Sequence, residues 1–89
     1  MADIDKIREK IAEMADRPKN VTFSEIEWVV NRLSEHGYAV EMRDARHGKL
    51  IQVDSQTFMV NYHNPGNKQI KAYSVMDFIG AMIELGLYE

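Results

Sequence analysis

Eighty-nine residues, 45% of them apolar and 28% charged, suffice for one globular domain and do not describe a disordered chain. No apolar run is long enough to span a membrane, the first residues lack the apolar stretch of a signal peptide, and the absence of cysteine excludes disulfides and thiolate zinc sites; a cytoplasmic protein is expected. The net charge of −3 hides a segregation: residues 1–36 carry six Lys/Arg against eight Asp/Glu, residues 37–73 five against three, and residues 74–89 none against three, so a basic middle that could meet phosphate lies between acidic flanks.

Residues 3–16 read as an amphipathic helix, with Asp3 as its cap and Ile4, Ile7, Ile11 and Met14 recurring at spacings of three, four and three. Its stripe would suit packing on its own domain or the seam of a homodimer. Arg17-Pro18-Lys19-Asn20 ends it, because the residue before a proline disfavours helix. Residues 1–19 therefore form an N-terminal helix and linker, and residues 20–89 the main domain.

The second helix has the clearest start signal. Thr22-Phe23-Ser24-Glu25 fits a capping box, and Val21 and Ile26 are placed as a hydrophobic staple. Phe23, Ile26, Val30 and Leu33 make its buried stripe, with Trp28 beside it, and Gly37 is suited to the left-handed residue that closes it. From there the period becomes two. Tyr38, Val40 and Met42 alternate with Ala39, Glu41 and Arg43; Asp44 to Gly48 is a polar turn; Lys49–Asp54 and Thr57–Tyr62 make two further strands. Residues 63–68 read as a loop by composition. Ser74, with Asp77 at the capping-box position, is expected to cap a last helix whose apolar face is Val75, Phe78, Ile79, Met82 and Ile83, stopped by Gly86.

The order α-α-β-β-β-α predicts an α+β two-layer sandwich. A three-stranded antiparallel sheet has one face covered by the second and last helices, and the first helix is additional.

No phosphate-loop, dinucleotide, zinc-protease or serine-elbow motif is present. What remains is histidine among basic residues. His36 precedes the helix-closing glycine, where a cation suits the dipole. His47 is flanked by Arg43, Arg46 and Lys49, and His63 follows the third strand in a segment that carries Lys68 and Lys71. Two histidines without a carboxylate pattern make a poor metal site, so none is expected. Cleavage of RNA by its own 2′-hydroxyl needs no cofactor, only proton transfer and cations for the phosphorane charge. Imidazole suits the first and guanidinium the second.

Residues 20–86 also carry a resemblance. Asn20-Val21-Thr22-Phe23-Ser24-Glu25-Ile26 with Leu33 and Gly37-Tyr38, then Phe58 to Gly66, Ile70-Lys71-Ala72-Tyr73-Ser74-Val75 and Ile83-Glu84-Leu85-Gly86, resemble successive segments of the HicA-like mRNA interferase toxins. The resemblance implies a fold like the double-stranded-RNA-binding domain, cleavage of mRNA, and neutralisation by a HicB-like antitoxin. In that family the catalytic histidine belongs to a G-S-H-H-x-[FY] segment. The corresponding stretch here is Ala45-Arg46-His47-Gly48-Lys49-Leu50, which retains one histidine and replaces the rest, and Tyr62 stands in place of a strand-end proline. The resemblance thus assigns the general acid or base to His47, and the basic and imidazole side chains around it, Arg43, Arg46, Lys49, His63, Lys68 and Lys71, are expected as RNA contacts. Two other readings stay open: a catalytically silent relative that binds RNA or a protein, and an interaction domain with no nucleic acid.

Overall fold

The structure, a computed structural model, describes residues 4–64 and 67–88, with side chains at 4–62 and 69–88. Among the described residues, three helices and a four-stranded antiparallel sheet follow the chain in the order α1 (Ile4–Asp16), a short 3-10 turn (Pro18–Asn20), α2 (Phe23–Glu35), β1 (Val40–Ala45), β2 (Gly48–Val53), β3 (Gln56–Asn64), β4 (Asn67–Ile70) and α3 (Ala72–Glu84). The sheet is a meander in sequence order, the arrangement that short turns impose on antiparallel neighbours.

The α+β class and the element order are as the sequence predicts, but the sheet has a fourth strand. β4 falls in and just beyond the segment read as loop. It pairs with β3 through Tyr62↔Ile70 and Asn64↔Asn67, a register that slips by one residue between those pairs. Its four residues Asn-Lys-Gln-Ile have no apolar alternation, so only backbone pairing makes them a strand. The far edge of β4 is closed in turn by the chain before α2: the Ile70 amide donates to the Val21 carbonyl at 2.8 Å, and Thr22 bridges Gln69. The opposite edge is β1, whose Glu41, Arg43 and Asp44 are exposed, charges that discourage edge-to-edge association.

Strand parity divides the sheet faces. Ile51, Val53, Phe58 and Val60 are buried under the helices, whereas Gln52, Thr57 and Met59 on the other face are exposed. Met42 is on the covered side but at the rim, and is 36% exposed. Phe58 and Phe78 meet edge to face at 5.5 Å between centroids, joining sheet to α3.

Ile7, Ile11 and Met14 of α1 are wholly buried in the same core as the other helices. The stripe that would have suited a dimer seam is used within the chain. At roughly 1.5–3 kcal/mol for each large apolar side chain, α1 supplies a substantial part of so thin a core. The Thr22–Glu25 capping box forms as expected, and Glu25 then extends it: besides accepting the Thr22 amide at 3.0 Å, it pairs with Arg17 at 2.7 Å and Lys10 at 3.2 Å. Burial disfavours the Glu25 charge, but the Arg17 guanidinium, the Thr22 amide and Lys10 outweigh it and hold its pKa at about 2.

α3 begins earlier than the sequence suggests, at Ala72, with Lys71 rather than Ser74 as its N-cap. Ser74 is buried inside the first turn, where its hydroxyl accepts the Asn61 amide of β3 at 3.0 Å. Three residues past the observed N-cap, Ser74 already lies within the helix, and its hydroxyl serves the strand instead. Ile83, expected on the apolar face, is 47% exposed, and Ala81 is buried instead.

Candidate nucleic-acid interface

The β1–β2 hairpin turns through Arg46 and His47 between the paired residues Ala45 and Gly48. Both turn side chains are exposed. The His47 carbonyl accepts the Tyr62 amide at 2.8 Å, which fixes the turn against β3. From the other side of β3, the Asn61 carbonyl accepts the Lys71 amide at 3.0 Å. His47 and Lys71 are thus bonded to adjacent β3 residues from opposite sides, about 10 Å apart by two strand spacings.

Asn61 holds this end of the molecule together. Its amide donates to Ser74 Oγ, its carbonyl accepts from Lys71, and its Nδ2 donates to the Tyr73 hydroxyl at 3.2 Å. All three bonds tie the end of β3 to the first turn of α3, so the turn carrying His47 rests on a fixed base. Sequence reasoning missed Asn61 and Tyr73, because neither residue type at that spacing signals anything until the pairing is known.

Gly48 lies where the two central strands come close together. A Cβ built there would meet the Val60 carbonyl oxygen at 1.8 Å and the Asn61 Cα at 2.9 Å. β2 and β3 approach so closely that only glycine fits. Any side chain at this position would force the two strands apart.

The expected cations are distributed unevenly. Arg46 sits in the turn beside His47, and neither side chain has a hydrogen bond or ion pair among the described residues. Lys49 is one residue past Gly48 and shares parity with Ile51 and Val53, on the helix side. Its ammonium pairs with Asp44 at 2.7 Å, which raises its pKa and lowers that of Asp44 through the hydrogen bond and charge they share. Arg43 is on the open face, opposite Leu50, about 7 Å back along β1 from the turn. There it lines a small groove of about 90 Å³ with Glu41, Leu50, Gln52 and Thr57, and its nearest acid is Glu41 at 3.8 Å. Lys71 is half-buried, with its ammonium 5.8 Å from the Tyr73 ring centroid. The side chains of His63 and Lys68 lie outside the described residues.

The structure therefore brings His47, Arg46 and Lys71 to one end of the sheet, keeps Arg43 on the adjoining face, and engages Lys49 with a carboxylate. Among the described residues no group of three His, Cys, Asp or Glu side chains stands together that could hold a metal ion, and no helix is long and apolar enough to cross a membrane. Comparison of the chain with protein-family models, curated proteins and solved structures returns no match.

Proposed function

We propose that this chain is a HicA-type endoribonuclease acting on mRNA, the toxin of a pair whose antitoxin is a HicB-like protein, with a fold related to the double-stranded-RNA-binding domain. The observation that supports it best is the solvent-exposed imidazole of His47. It is held on a turn anchored to β3 through the Tyr62 amide at 2.8 Å, beside an arginine that makes no ion pair among the described residues. An RNA strand crossing this end would present a phosphate to Arg46 and a 2′-hydroxyl to His47. The 2′ oxygen bonds to phosphorus as the bond to the 5′ oxygen breaks, leaving a 2′,3′-cyclic phosphate and a 5′-hydroxyl. His47 moves the proton at one of those two oxygens, solvent serves the other, and guanidinium stabilises the charge that develops on the phosphorane.

The test is cleavage of single-stranded RNA by the purified chain with a metal chelator present. Wild type is expected to give cyclic-phosphate ends, and His47→Ala to lose roughly 10²–10⁴-fold in rate while melting as wild type does, since the ring is exposed. Cleavage that survives His47→Ala removes the histidine from the mechanism. The second reading, a catalytically silent RNA-binding module, draws support from Lys49, whose engagement with Asp44 leaves fewer cations at the turn. Its mark would be a salt-sensitive RNA complex without cleavage.

A further inference from the structure

A cleft of about 360 Å³ opens between the 3-10 turn, β4 and the start of α3, lined by Lys19, Gln69, Ile70, Lys71, Ala72 and Tyr73. None of the six is acidic, and two are lysines that approach from different segments of the chain. Lys19 is exposed and makes no ion pair among the described residues. The walls are fixed by hydrogen bonds to backbone carbonyls: the Gln69 side-chain Nε2 donates to that of Lys19 at 2.6 Å, and the Ile70 amide to that of Val21. Tyr73 is 55% exposed although its hydroxyl is held by Asn61. An aromatic ring kept in solvent and oriented by a hydrogen bond, with an ammonium at its side, has the features of a base-stacking platform.

We propose that this cleft is a nucleotide subsite for single-stranded RNA, with a base stacked on Tyr73 and the adjoining phosphate between Lys19 and Lys71. The proposal rests on the reading of the His47 end as an RNA-cleaving site and gives that reading a strand path, from the β1–β2 turn across Asn61 to the first turn of α3. Asn61 links the two parts physically, since it bonds both Lys71 and Tyr73 from the strand that also anchors His47. It also gives the linker before α2 a role in RNA binding, through Lys19.

The experiment is fluorescence anisotropy with a labelled oligouridylate of about ten nucleotides, 2′-O-methylated so that it cannot be cleaved, measured over a range of salt. Lys19→Gln and Lys71→Gln are each expected to weaken binding and to flatten the slope of log affinity against log salt by about 0.7, the value for one single-strand phosphate contact. Tyr73→Leu is expected to weaken binding about tenfold with the slope unchanged, the loss of one stacked base, and Tyr73→Phe to bind nearly as wild type. Lys19→Gln, an exposed change, decides the matter should Tyr73→Leu fail to fold. Wild-type affinity and slope in Lys19→Gln overturn the subsite. Cleavage that depends on His47 but ignores Lys19 and Tyr73 also overturns it, and leaves the ribonuclease reading intact. The expected binding signature in a chain that never cleaves RNA sustains the subsite and removes the ribonuclease. A wild-type chain that does not bind this oligonucleotide at low salt overturns the subsite outright.

Discussion

Two groups of charges in this small protein are used in opposite ways. Where α1 meets α2, Glu25 is enclosed by Lys10, Arg17 and the Thr22 amide, so that the charges of Glu25, Lys10 and Arg17 are paired across neighbouring elements. At the other end of the chain's basic middle, Arg46 and His47 project from a two-residue turn with no side-chain bond among the described residues, while the backbone beneath them is tied down through Tyr62, Asn61 and Ser74. The first arrangement gains stability from its charges; the second orders the backbone and leaves the polar side chains to solvent. A rigid base under unpaired polar groups is the organisation that binding and catalysis require, which is why the proposed function is placed at the second region and the first is read as architecture.

The sharpest way to break this comparison is at Gly48. Gly48→Ala would drive a methyl against the Val60 carbonyl, so β2 and β3 must separate, at an expected cost of about 3 kcal/mol. Urea unfolding would show the loss, and RNA cleavage should fall further than stability alone accounts for, because the His47 turn is anchored through the same strand pair. A stability equal to wild type would mean that the close approach of the strands is not a constraint.

Next in size is Glu25. Its pKa of about 2 lies below the ordinary value near 4.5, so its contribution is complete above pH 4.5 and is lost as the pH falls from there towards 2. Discounted for solvent screening, the contribution is about 2 kcal/mol. Glu25→Gln should therefore lower stability by about that amount at neutral pH and remove the corresponding acid-dependent loss, while RNA binding stays unchanged. Reduced RNA binding in a folded Glu25→Gln chain would show that the two regions are not separate.

The smallest effect is expected at Asp44. Asp44→Asn releases Lys49 and deletes an anion near the turn, so melting should not change, whereas RNA affinity should rise a few-fold with a steeper salt dependence. An unchanged affinity would place the RNA path away from this edge of the sheet.

The sequence made the helices on the architectural side plain, since the three-four-three spacing of Ile4, Ile7, Ile11 and Met14 and the Thr22–Glu25 capping box are local signals. The site end was only partly legible. His47 and Arg46 were evident as a basic turn, but β4 is too short and polar to alternate, and its pairing is set by β3 and by Val21. Ser74 is a good helix cap by residue type, yet its hydroxyl answers an amide thirteen residues earlier, a demand that no local pattern reports. The side taken by Lys49 was available from parity with Ile51 and Val53; its pairing with Asp44 follows from the cross-strand register. Lys19 drew no attention because it becomes a neighbour of Lys71 only once β4 has formed.

The measurement that tests the division of the molecule most directly is an NMR titration of the chain with 2′-O-methylated RNA, following backbone amides. The account predicts shifts at the end of the sheet that carries His47, at Gly48, Asn61, Lys71 and Tyr73, and at Lys19 across the adjoining cleft, with Lys10, Glu25 and Trp28 unmoved. Shifts centred on the α1–α2 face, or none at any residue, would contradict it.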